Sequence, residues 1–95
     1  MSGQGIRYDQ GKPQWHLMPW EQLENVIRVL MFGAEKYSPD NWKHFDTPYE
    51  TCLNALERHY VAVMKGEHMD PESGTHHMAH VICNALFIMW HKDNE

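Results

Sequence analysis

The stretch 75–91 limits the fold of this chain more than any other segment. Set out at ~100° per residue, it puts Met78, Val81, Ile82, Ala85, Leu86, Phe87, Ile88, Met89 and Trp90 on nearly every side of a helix. A helix that is apolar all round is a buried one. No apolar run reaches the ~18 residues that a membrane span requires, so this is read as a core helix and no membrane partner is expected. The rest of a 95-residue chain must then be arranged around it.

Two further helices are expected. Pro19 suits a helix start, where its missing N–H is no loss. Trp20, Leu23, Val26, Ile27, Leu30, Ala34 and Tyr37 recur at spacings of three and four, an amphipathic helix of about five turns. It should end near Tyr37, before the turn signal Ser38-Pro39-Asp40-Asn41. The next begins at Thr47-Pro48-Tyr49-Glu50, which reads as a capping box. Cys52, Leu53, Leu56, Tyr60, Val63 and Met64 form its stripe, and Gly66 stops it. Residues 67–74 are a polar connection interrupted by Pro71. Residues 1–18, with Gly3, Gly5, Gly11 and Pro13, lack helical periodicity and read as an irregular arm, and 91–95 as a frayed tail.

The expected fold is therefore all-α: a single domain, 1–95, of three main helices with an N-terminal arm. A chain this short buries only roughly 60–65% of its unfolded surface. Yet 42% of its residues are hydrophobic, 4 Trp and 7 Met among them, so part of that material is expected to join copies in a homo-oligomeric helical bundle.

A net charge of −5 disfavours duplex nucleic acid, whose binding depends on many Lys and Arg contacts to phosphate. A small anionic ligand remains compatible, because a bound metal ion reverses the local sign. Cys52 and Cys83 lie inside helical patterns with no Cys-x-x-Cys pair, and read as buried thiols of a reducing compartment. Residues 1–7 are polar and Gly-rich, unlike a signal peptide. The expected location is the cytoplasm.

The compositional outlier is histidine, 8 residues against 8 Lys plus Arg. His77, His80 and Asn84 stand at i, i+3 and i+7, on one face of the greasy third helix. Each buried polar group left unpaired costs roughly 1–3 kcal/mol, so the stripe calls for a polar counterpart: a ligand, a metal or an acidic segment. His59 borders the apolar stripe of the second helix and can approach it, whereas Arg58 lies about a hundred degrees away. A single core histidine is ordinarily a packing residue, and His16, His44, His68 and His91 read as solvated. Glu67, Asp70 and Glu72 offer oxygen ligands suited to Mg²⁺ or Mn²⁺; the plainer alternative is a soluble turn with capping acids. In Tyr8-Asp9-Gln10-Gly11-Lys12-Pro13, Lys12 and open amides could meet a phosphate, or form a simple surface turn. Lys36-Tyr37 with Asn41-Trp42 offers a base-stacking platform or core packing. Met64, Met78 and Met89 read as core filling.

Taken in order, these motifs resemble a family of small, mostly phage-encoded proteins described as dATP/dGTP diphosphohydrolases. They are Tyr8-Asp9-x-Gly-Lys12-Pro, Gly33-Ala-x-Lys36-Tyr37 with Asn41-Trp42, Arg58-His59, Gly66-Glu67 with Asp70-Pro-Glu72-Ser-Gly74, and His77-x-x-His80 with Asn84. The resemblance covers residues 5–90. It implies a fold similar to the MazG-like nucleoside triphosphate pyrophosphohydrolases, which form oligomers and use divalent metal. It also implies cleavage of a purine deoxynucleoside triphosphate to monophosphate and pyrophosphate. Arg58, His59, Glu67, Asp70, His77, His80 and Asn84 would line the pocket, and Lys12 and Lys36 would meet phosphates. One departure stands out. MazG-like enzymes hold Mg²⁺ with two acid pairs; Glu21-x-x-Glu24 could supply the first, but His77-x-x-His80 stands where the second would be sought. Histidine is a poorer ligand for Mg²⁺ and a better one for Mn²⁺ or zinc.

The leading expectation is thus a metal-dependent hydrolase of purine nucleoside triphosphates. Its catalytic candidates are His59, Asp70, Glu72, His77 and His80. Glu24, Glu67, Asp70, His77 and His80 are the metal candidates, and Asp9, Lys12, Lys36, Tyr37, Asn41, Trp42, Arg58 and Asn84 are candidates for the substrate. The alternative is a non-catalytic protein that sequesters a nucleotide or nucleotide-derived signal, as a phage anti-defence sponge would. A third reading is a protein-binding helical module whose histidines are merely packed.

Overall fold

A computed structural model describes residues 5–95, and the first four residues of the arm lie outside it. Its elements are α1 (Trp20–Lys36), α2 (Pro48–Met64) and α3 (His77–Asp93), with 3-10 turns at Trp15–Leu17 and Asn41–His44. The all-α expectation is met. No helix among the described residues is long and apolar enough to cross a membrane.

α3 is the shared element, packed against α1 on one side and more extensively against α2 on another. Val26 and Val29 of α1 meet Ala79 and Cys83 of α3, flanked by the half-buried Leu23, Leu30 and Phe87. The Cys83 thiol donates to the Val26 carbonyl at 3.5 Å. Both cysteines are free and buried, as expected, and burial pushes the Cys83 thiol up to about 12. The turn after α1 brings Trp42 flat onto Phe87, ring centroids 4.3 Å apart, and edge-on to Trp90 at 5.2 Å. That pins residues 41–44 to α3.

The connection between α2 and α3 is more ordered than a polar loop. Gly66, with φ +97°, ends α2 where a side chain would be strained. Met69 and His76 then pair as an antiparallel bridge. The Asp70 N–H donates to the Thr75 carbonyl at 2.7 Å and the His77 N–H to the His68 carbonyl at 2.8 Å. Gly74, at φ +73°, closes the tip. The result is a tight hairpin that folds its own side chains back against α3.

Several expectations need correction. Thr47 does precede Pro48 at the start of α2, but its side chain caps nothing. Its ψ of 71° falls short of fully extended backbone, and the hydroxyl lies 3.4 Å from that of Thr51 instead. The tail is not frayed: α3 continues to Asp93, Lys92 pairs with Glu95 at 2.7 Å, and the Tyr49 hydroxyl donates to Glu95 at 2.7 Å. His91 is half-buried, its Nε2–H donating to the Trp42 carbonyl at 2.8 Å. Nor is α3 buried all round. Met78, Ile82, Leu86 and Met89 form an exposed stripe because α1 and α2 cover only two of its sides. Of the expected α2 stripe only Cys52 is fully buried, and Leu53, Tyr60 and Met64 are exposed. Met64, Met78 and Met89 are therefore not core filling.

Candidate functional site

A groove of about 550 Å³ runs between the end of α1, residues 37–45 and one face of α3. Phe32 from α1, Phe45 from the turn and Phe87 from α3 give it apolar wall. Arg58 and His59 of α2, Asp70 and Glu72 of the hairpin, and His80 and Asn84 of α3 line the same groove, as does Lys36, whose ammonium lies 5.9 Å from the Phe32 ring centroid.

The helical register brings the histidines together. His59 lies seven residues from the buried Cys52, so it points toward α3. His77 and His80 are each less than a tenth exposed. The rings of His59 and His80 stack at 4.1 Å with 10° between planes. His59 Nδ1 lies 2.8 Å from His77 Nδ1, and His77 Nε2 lies 2.7 Å from Glu67 Oε1. On the hairpin side, Asp70 accepts from the Ser73 hydroxyl at 2.7 Å and from the Glu72 and Ser73 amides at 3.3 and 3.2 Å. The Ser73 hydroxyl is also 2.7 Å from His80 Nε2 and 2.9 Å from the hydroxyl of the buried Thr75. Among the described residues no buried side-chain polar atom lacks a partner, so the counterpart demanded by the stripe is the hairpin together with His59.

This environment keeps the stacked imidazoles neutral. Burial pulls His59 down to about 4, assisted by His80 and opposed by Asp70. Burial likewise lowers His80, against the pull of the Asp70 carboxylate. For Asp70 burial acts upward, but the Ser73 hydroxyl and the two amides outweigh it and hold the carboxyl below its usual range. His59, Asp70 and His80 each offer a ligand atom, and the three atoms lie within 4.8 Å of one another. Two neutral imidazoles and one ionised carboxylate are donors of the kinds that divalent ions take.

The remaining candidates separate. Lys36, Tyr37, Asn41, Trp42, Arg58, Glu72 and Asn84 all line the groove. Lys36 forms an ion pair with Glu72, which raises its pKa. Asn84 donates to the His80 carbonyl at 2.9 Å. Trp42 has one face taken by Phe87 and is core packing as much as platform. Glu67 is engaged by His77 outside the groove. Asp9 and Lys12 stay on the exposed arm, where the Lys12 amide donates to the Asp9 carbonyl at 3.0 Å. Glu24 is exposed on α1 and pairs with Arg28 at 3.1 Å, so it is not brought to the histidines. Ser73 and Thr75 were missed from the sequence. The signal for Ser73 was its place three residues after Asp70 in a turn, where a hydroxyl can reach back to the carboxylate.

Comparison with known proteins agrees with the motif order. A family model described as dATP/dGTP diphosphohydrolase, N-terminal, matches residues 2–95. A protein of Salmonella phage PMBT28 named dATP/dGTP diphosphohydrolase is 38% identical over 90 residues, covering 95% of this chain and 30% of that protein. The chain thus spans less than a third of the length of the relative it matches. No solved structure matches.

Proposed function

This chain belongs to the dATP/dGTP diphosphohydrolase N-terminal family, and from that premise we propose that its groove binds purine deoxynucleoside triphosphates and, with a divalent cation, supports their hydrolysis to monophosphate and pyrophosphate. The carrying observation is the convergence of His59, Asp70 and His80 in a groove that also carries aromatic side chains and the cations Lys36 and Arg58. The aromatic walls suit a base, and Lys36 and Arg58 suit the phosphates. His59, Asp70 and His80 would hold the cation, which neutralises phosphate charge and acidifies a water molecule. His59 and His80 stay unprotonated at neutral pH, which leaves each a nitrogen lone pair for the cation. Glu72 pairs with Lys36 until a phosphate competes for it. The substrate is a small nucleotide; with net charge −5, duplex nucleic acid is not a fitting partner.

The apolar stripe of α3 is proposed as a contact between copies. The chain exposes 7612 Å², against about 5,700 Å² for a compact folded chain of its mass. The exposed arm accounts for part of the difference. A standard interface hides ~800 Å² per partner, which the exposed stripes of α3 and α2 can supply. Such an oligomer would work in the cytoplasm, where Cys52 and Cys83 stay reduced.

A second reading, sequestration without turnover, is favoured by one observation: Glu24 is outside the groove and Asp70 is the sole carboxylate in the ligand cluster. Incubation with dATP or dGTP and Mn²⁺ or Mg²⁺ separates the two. Release of pyrophosphate and monophosphate supports hydrolysis; tight binding with no product supports sequestration.

A further inference from the structure

We propose that His59, Asp70 and His80 form a site for a borderline divalent transition ion of the Zn²⁺, Mn²⁺ or Co²⁺ class, and that Glu67, acting through His77, sets the tautomer that makes His59 a ligand. The inference deepens the reading above by naming the class of ion; it rests on the same site but not on turnover.

The argument for the ion is the donor set. Mg²⁺ demands near-octahedral oxygen coordination, and the cluster contains one carboxylate. Neither neighbouring acid is at hand, since Glu72 is paired with Lys36 and Glu67 with His77. Two imidazoles and one carboxylate with open positions match catalytic zinc sites and suit Mn²⁺ and Co²⁺ as well. The oxygen ligand is also pre-aimed. Asp70 is held by the Ser73 hydroxyl and two amides, the kind of outer support that ligating carboxylates require.

The argument for Glu67 is bond accounting. An ionised carboxylate only accepts, so the 2.7 Å contact with Glu67 puts the proton of His77 on Nε2. With one ring proton only, on Nε2, His77 has a lone pair on Nδ1, and the 2.8 Å contact there is filled by a proton from His59 Nδ1. That leaves the lone pair of His59 on Nε2, on the opposite side of the ring from His77. The chain Glu67–His77–His59 thus does for a ligand what a carboxylate does in a carboxylate–histidine–metal triad, with one more imidazole interposed. Glu67 is a positioning residue: it touches neither ion nor substrate.

Co²⁺ and Zn²⁺ alone are the probes, with wild type and the Glu67→Ala, Glu67→Gln, His59→Ala and Asp70→Asn variants of the 95-residue chain. Glu67 is more than half exposed, so its truncation opens no cavity, and the helical circular dichroism of each variant checks the fold. Expected are visible d–d bands for Co²⁺ in the wild type, displaced by Zn²⁺ and not by Mg²⁺, and lost in His59→Ala and Asp70→Asn. Glu67→Ala should keep the band shape and weaken affinity on the order of 10–100-fold. Glu67→Gln, whose amide oxygen still accepts, should recover part of it. In the metal-free wild type, long-range proton–nitrogen NMR should place the His59 proton on Nδ1, and in Glu67→Ala it should distribute over both nitrogens. A His59 proton on Nε2 in the wild type, absent Co²⁺ bands, or Co²⁺ binding indifferent to His59 and Asp70 would overturn the inference. The proposed function fails separately: Co²⁺ binding as described without cleavage of dATP or dGTP supports this inference against it. Cleavage with Mg²⁺ alone, unchanged in His59→Ala, overturns this inference and leaves hydrolysis standing.

Discussion

His59 and His77 meet nitrogen to nitrogen, Nδ1 to Nδ1 at 2.8 Å, joining the middle of α2 to the first turn of α3. Only one of the two nitrogens can carry the shared proton, so one ring donates and the other accepts. Glu67 completes the chain from the far side. The candidate site is therefore built by the α2–α3 hairpin, and α1 and the Trp42 turn supply the opposite wall.

His77→Ala should destabilise the fold by about 2 kcal/mol or more, because it empties a buried position and leaves the His59 donor without a partner. Urea midpoints of the two proteins measure this. A change below about 0.5 kcal/mol, typical of surface positions, would show that the contact carries no strain of packing or pairing.

Asp70→Asn should reduce pyrophosphate release by at least about 100-fold while leaving the helical circular dichroism unchanged. The substitution removes the only negative charge in the ligand cluster yet keeps an oxygen for the Ser73 donors. Steady-state assay with dATP and dGTP checks it; retention of more than about a third of the wild-type rate would remove Asp70 from the chemistry.

Lys36→Ala should raise KM for the triphosphate roughly 10-fold with little change in kcat, as expected when a group binds ground and transition states alike. The urea midpoint should stay essentially where it is, since the Glu72 pair is solvent-exposed. A fall in kcat at constant KM would instead place the ammonium at the reacting phosphate.

Acid should destabilise the metal-free protein in the range from pH 6.5 down to about 4. His59 and His80 are held below their unfolded values, so the unfolded chain binds more protons across this window and stability rises with pH. Their contribution is complete above 6.5 and is lost as pH falls toward the folded value, about 4 for His59. Asp70, also depressed, extends the loss further into acid. Urea unfolding in chelator at about pH 7.5 and about pH 4.5 should give the lower midpoint in acid, and His59→Gln should flatten the dependence.

Self-association should be visible in light scattering as a mass above 11.3 kDa. Ile82→Lys combined with Met89→Lys places two charges in the exposed α3 stripe and should yield the single-chain mass with helicity retained. An unaltered mass in the double variant would move the contact elsewhere.

Much of the fold was legible in local pattern. The three- and four-residue spacing of Trp20, Leu23, Val26, Ile27 and Leu30 marks α1, and Pro48 and Gly66 bracket α2, because backbone geometry and side-chain periodicity act within a few residues. The stripe of His77, His80 and Asn84 was legible for the same reason, as was its need for polar company. What pairs with what was not. Thr47, a capping residue by sequence, faces Thr51; Glu67, an oxygen donor by sequence, is bound to His77; Trp42, a platform or a core residue by sequence, is stacked on Phe87.

The sequence by itself determined that this chain is helical, that its last helix carries imidazoles among apolar side chains, and that its motif order belongs to one family. Only the tertiary structure decided that His59 and Asp70 join His80, that Ser73 binds both carboxylate and imidazole, and that one side of α3 is left uncovered. The physical reason is range. Helix formation follows from neighbours three or four residues apart, whereas a hydrogen bond or ligand set depends on ångström distances between elements, which the turn at residues 67–76 and the packing on α3 alone establish.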